Sequence, residues 1–138
     1  MKLRIALAGL AIAVVGWVFA PGAAHAQLDN YKCYQGKDLK NPKFTKVLGV
    51  NLKDQINGVP TGPGESVDVQ KVKYVCIPAS IDGSTIQDDS AYLTCYQIKA
   101  PTLATRPKVE VSTQFQKSQF ELKKGKLLCV PGSLTEIP

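Results

Sequence analysis

An all-β fold is what this sequence predicts: one small antiparallel domain made of two pseudo-symmetric, disulfide-stapled repeats. Three features carry the prediction. Four cysteines follow an N-terminal export signal, two segments align with each other on those cysteines, and apolar residues within each segment recur at every second position. The expected body is a small sheet, sandwich or barrel-like domain, with little helix outside the signal.

The signal is residues 1–26. Lys2 and Arg4 form a basic start, and IALAGLAIAVVGWVFA (residues 5–20) is uncharged and apolar. Pro21-Gly22 breaks the run, and Ala24-His25-Ala26 supplies the small residues a signal peptidase requires. The 16-residue apolar run is short of the roughly 20 residues that span a bilayer. Cleavage is expected between Ala26 and Gln27, releasing a secreted or periplasmic chain with no membrane attachment.

Residues 27–138 then form one domain, with the first repeat over about 30–80 and the second over about 91–133. The only His, Trp and Met all lie within the signal. Lys2 and Arg4 leave with it, so 15 Lys/Arg face the same 11 Asp/Glu, for a net charge of +4. All but Arg106 of those cations are lysines spread along the chain. Such a surface lacks the dense Arg-rich stripe of a nucleic-acid binder.

Cys33, Cys76, Cys95 and Cys129 read as a disulfide framework, because an even count in a small exported chain favours one. A metal site fits poorly: no two cysteines are closer than 19 residues, and no His is left to complete a set. Four cysteines allow three connectivities. Cys33–Cys76 with Cys95–Cys129 is favoured, since duplication of a stapled unit yields one bridge per copy.

Aligned on the cysteines, YKCYQGK (residues 31–37) matches LTCYQIK (residues 93–99) at Cys, Tyr, Gln and Lys. VNLKDQI (50–56) matches VEVSTQF (109–115), and Val67-Asp68-Val69 matches Phe120-Glu121-Leu122. KVKYVCIPAS (71–80) closes the first copy as KGKLLCVPGS (124–133) closes the second. The offset falls from 62 to 59 to 53, so the first copy carries two insertions, the longer within NGVPTGPGES at 57–66.

Within each copy Val50, Leu52 and Ile56, or Val109, Val111 and Phe115, share one face of a presumptive strand, with polar residues opposite. Val67/Val69 and Phe120/Leu122 alternate in the same way. Each copy therefore reads as a strand at its first Cys, a central strand, and a final strand or hairpin entering its second Cys. The KYVCIP and KLLCVP runs are apolar at consecutive positions, as strands covered on both faces are. Pro78 and Pro131 are expected to end pairing. Turn signals stand at Asn57-Gly58, Asp82-Gly83 and residues 101–107, and residues 80–91 connect the copies. One copy would bury little apolar area, so the two are expected to pack face to face around a shared core.

With both units in view, the chain resembles a family of exported bacterial repeat proteins classed as a domain of unknown function. Their units run aromatic-x-Cys-Tyr-x-x-Lys, then Asp/Asn-Gln-Phe, then Lys-x-x-x-Leu-Cys-x-Pro. Here these positions read YKCYQGK, DQI and KVKYVCIP in one copy, and LTCYQIK, TQF and KGKLLCVP in the other. The resemblance spans residues 30–133. It implies a secreted, disulfide-stapled fold, and it brings no activity or catalytic residue with it.

The residues themselves offer little to catalysis. Without His, Ser-His-Asp and Cys-His arrangements are impossible in the mature chain. The adjacent Asp88-Asp89 pair would point to opposite faces of a strand. Asp82, Asp88 and Asp89 share a loop but lack the spacing of a Ca²⁺ site. A non-catalytic structural or binding module, with neither metal nor cofactor, is therefore expected.

Two stretches are candidates for recognition. One is the insertion, with Asn57, Gly58 and Gly64, since binding residues concentrate on such excursions. The other is the Lys37, Lys40, Lys43 and Lys46 cluster, with Lys71/Lys73 recurring as Lys124/Lys126. These lysines either keep a β surface soluble or, at Lys40, Lys43 and Lys46, bind an anionic envelope or extracellular polysaccharide. Tyr34 and Tyr96 are expected against the disulfides or neighbouring strands. Self-assembly, or attachment to the cell surface through exposed sheet edges, is the alternative role.

Overall fold

A computed structural model of the chain describes residues 28–56 and 62–138. The expected export signal, with Ala26 and Gln27 at its expected cleavage point, lies outside the described residues, as do Asn57 and Gly58.

Seven strands form among the described residues: β1 (Asn30–Gln35), β2 (Val47–Leu52), β3 (Glu65–Ala79), β4 (Tyr92–Lys99), β5 (Lys108–Ser112), β6 (Lys117–Glu121) and β7 (Leu127–Gly132). Every pairing is antiparallel. The main sheet runs β1-β3-β4-β7, with β2 also on β3, and β5 and β6 pair only with one another. β3 is long enough to hold two partners end to end on one edge, β2 at residues 65–69 and β1 at residues 74–79. Its other edge belongs to β4, and no barrel closes among the described residues.

The disulfides are Cys33–Cys76 and Cys95–Cys129, each joining residues directly opposite in a strand pair, β1–β3 and β4–β7. The Cys76 and Cys95 sulfurs touch at 3.5 Å across the β3–β4 junction. Both are oxidised, so this is a packing contact, and it makes a row of four sulfurs across four strands. Cys76 and Cys95, on the inner strands, are buried, whereas Cys33 and Cys129 are exposed. Two intact disulfides suit an oxidising extracellular or periplasmic environment.

The apolar core is small. Val67, Val69 and Ile98 are buried, with Phe44, Val50, Leu52, Tyr96, Ala100 and Leu128 packed around them. Val69 pairs with Ile98 and Val72 with Tyr96, while Tyr74 pairs with Cys95 and Cys76 with Leu93. Alternation along β4 therefore puts the core and the sulfur row on opposite faces of the sheet.

Four expectations need correction. The aligned segments do not pack face to face: they lie side by side in one sheet, joined through β3 and β4. Ile56 and Phe115 lie in turns rather than strands, and Phe115, at the β5–β6 tip, is 77% exposed. Neither proline ends its strand, for Pro78 stands opposite Tyr31 and Pro131 opposite Leu93. The β3–β4 ladder stops at Cys76–Leu93, so Pro78 owes no hydrogen bond on that side. Last, KLLCVP is not covered on both faces: β7 is an edge strand, and Leu127 is 43% exposed.

Candidate functional site: a lysine-lined groove across β3

The site starts from two irregularities in β3. Between Val69–Ile98 and Lys71–Gln97, and again between Val72–Tyr96 and Tyr74–Cys95, β3 advances two residues while β4 advances one. Gln70 and Lys73 are the extra residues. Bulges of this kind re-aim side chains out of strict alternation. The Gln70 side-chain oxygen accepts from Gln97 Nε2 at 2.8 Å, which fixes the first of them.

Beside this segment runs the loop between β1 and β2. Phe44 anchors it, its ring tilted 37° to that of Tyr96 with centroids 5.2 Å apart. At its start Gly36 N–H donates to the Lys73 carbonyl. The loop backbone turns at Lys40, a residue in the left-handed region (φ 58°), whose N–H donates to Asp38 Oδ1 at 2.8 Å. The loop and β3 enclose an open groove of about 760 Å³. Lys37, Lys40, Lys43 and Lys46 line it from the loop, Lys71 and Lys73 from β3. Among the described residues the sole acidic group in the lining is Asp38, already engaged in the turn.

A second depression of about 480 Å³ adjoins the first, sharing Gln70 and Lys73 with it. Lys99, Lys124 and Lys126 line it, and no acidic residue does among the described residues. Neither ion pair among the described residues, Arg106–Glu121 or Lys117–Glu110, involves a lysine of the two depressions. The result is a track of ammonium groups, each with three donors and no acceptor, over a floor of amides and aliphatic side chains. Its size suits a ligand pocket.

Lys40, Lys43 and Lys46 are thus brought together, with Lys71 and Lys73 opposite them. Gly64 is elsewhere: it has φ +75°, and a Cβ there would lie 2.6 Å from the Leu52 carbonyl oxygen, so its role is the turn into β3. Asp82, Asp88 and Asp89 do not converge, and no group of three His, Cys, Asp or Glu that could hold a metal occurs among the described residues. Asp88 instead accepts from the Ser90 hydroxyl and N–H, and those two bonds hold its carboxyl below the ordinary carboxylate range. Tyr96 packs on Phe44, but Tyr34 is half exposed, with Lys32 Nζ 4.8 Å from its ring centroid.

Reading the sequence alone misses Gln70, Lys99 and the gathering of Lys124 and Lys126 beside Lys73. The recurrence of the lysine pair is the only signal that hints at it. The bulges leave no mark in the alternation, because KVKYV reads equally well as a regular strand. Comparison with known proteins adds no relative, since no family model, curated protein or solved structure matches this chain.

Proposed function

We propose that this protein is an exported, non-catalytic binding module whose lysine groove takes an anionic polymer, an acidic polysaccharide of the envelope or surrounding matrix. The observation that carries the reading is the groove itself: six lysines on two facing walls, against one aspartate that the loop already uses. Converging like charges in a concave surface raise the local concentration of an oppositely charged ligand. The basic, apolar, small-residue order of residues 1–26 supports export, and the resemblance to exported two-cysteine repeat proteins supports the same compartment. Cations and amides at the site favour binding over proton relay.

Retention on immobilised heparin tests the reading. The disulfide-intact chain elutes above physiological salt, and changing Lys40, Lys43 and Lys46 to Gln abolishes that retention. Changing Lys108, Lys117 and Lys123 to Gln removes the same charge outside the groove and leaves most of it. Elution of the unaltered chain at or below physiological salt ends the proposal, and equal losses in the two triple variants reduce it to net charge alone.

A further inference from the structure

One strand pair joins the first aligned segment to the second. β3 gives an edge to β4, with Tyr74 opposite Cys95, Val75 opposite Thr94 and Cys76 opposite Leu93. In the alignment on the cysteines, β7 stands in the second segment where residues 74–79 of β3 stand in the first, and β4 stands where β1 stands. The edge of β7 matching the β4-bearing edge of β3 has no strand on it among the described residues. Nor does the edge of β1 matching the β3-bearing edge of β4. The sheet therefore ends, on its two sides, in the two halves of a junction it already contains in its middle.

On the reading of the chain as two tandem units, we propose that copies of this protein associate head to tail. β1 of one copy adds to the free edge of β7 of another, in the register that joins β3 to β4. Leu127 then stands opposite the partner's Cys33, Leu128 opposite the partner's Lys32, and Cys129 opposite the partner's Tyr31. Strand directions agree, because β1, β3, β4 and β7 alternate and the next β1 continues the alternation. The sulfur row continues too, with Cys129 meeting the partner's Cys33 as Cys76 meets Cys95.

Pro131 presents no obstacle, for it falls two residues beyond the last pair of the joint, as Pro78 falls two residues beyond the last pair of the β3–β4 ladder. The joint also covers what the chain leaves bare. Leu127, opposite the partner's Cys33 in this register, is 43% exposed in the single chain. A strand edge with unpaired backbone groups is a template for pairing. Because the two surfaces differ, the contact is heterologous and propagates unless it closes into a ring. Each added copy brings another lysine groove along the same sheet, although the joint itself needs no polyanion.

The test is sedimentation velocity on the exported, disulfide-intact chain from micromolar to millimolar concentration, without polyanion. The wild type is expected to grow beyond a dimer as concentration rises. Leu127→Lys blocks the β7 edge, and Lys32→Glu with Tyr34→Glu blocks the β1 edge, so each variant alone stays monomeric. A one-to-one mixture of the two gives a dimer and nothing larger, since one free β1 edge meets one free β7 edge. Amine cross-linking of mixed light and heavy wild-type chains, which needs no variant, joins Lys126 of one copy to Lys32 of another. A wild type that stays monomeric throughout overturns the proposal. Assembly that stops at a β7–β7 dimer, shown by the β1-blocked variant dimerising alone, overturns it as well.

Discussion

Gly64 shows how one residue sets the route into the central strand. Its φ of +75° lies where side chains with a Cβ are rare, and a Cβ there would stand 2.6 Å from the Leu52 carbonyl oxygen and 2.7 Å from the Lys53 side chain. Asn51 Nδ2 donates to the Pro63 carbonyl at 3.1 Å, closing the same turn. Gly64→Ala is therefore expected to destabilise the fold by about 2 kcal/mol in chemical denaturation, the order of a strained backbone conformation. Gly36→Ala is the control, since a Cβ at Gly36 meets nothing within 4 Å; its effect should stay within about 0.5 kcal/mol. Equal effects would mean that the turn at Gly64 relaxes freely. The sequence shows a glycine in a Pro/Gly-rich insertion, which serves recognition and turn formation equally well. Only the approach of the Leu52 carbonyl separates the two roles.

At the scale of elements, the alternation of Val67 and Val69 and the cysteine framework were legible in the sequence because both depend on local order. The break between β6 and β7 was not. Val72 in the first segment aligns with Gly125 in the second, and the second segment leaves strand geometry at residues 122–126. The β5–β6 hairpin departs there, carrying Val111 and Phe120 into solvent, whereas Val67 and Val69 stay in the core. Periodicity is the same in both segments and does not mark the divergence; at Gly125 a Cβ would stand 3.3 Å from Ile98 Cδ1. With a core this small, the cross-links carry much of the stability. Replacing Cys33 and Cys76 by Ser, or Cys95 and Cys129, should each cost about 4 kcal/mol in the chain-entropy account, for loops spanning 43 and 34 residues. Thermal unfolding followed by circular dichroism checks this. A loss under about 1 kcal/mol for both pairs would show that the sheet holds without them.

For the whole molecule, the all-β class follows from composition and alternation, and the favoured disulfide pairing, which the structure shows, from the duplication. The arrangement of the aligned segments does not. Shared burial within one chain can be reached by stacking two sheets or by extending one, and hydrophobic pattern alone does not distinguish them. The choice was made by the long β3, whose second edge pairs with β4. The groove itself lies within the first segment; the adjoining depression is the product of that choice, since Lys73 meets Lys99, Lys124 and Lys126 only when the segments lie side by side. Amide chemical-shift mapping of the disulfide-intact chain, titrated with a heparin oligosaccharide, tests the groove most directly. The account predicts saturable shifts concentrated at residues 36–46, 70–73, 97–99 and 124–126, with the β5–β6 hairpin unmoved. Shifts scattered over every exposed lysine, or centred on residues 108–121, would contradict it.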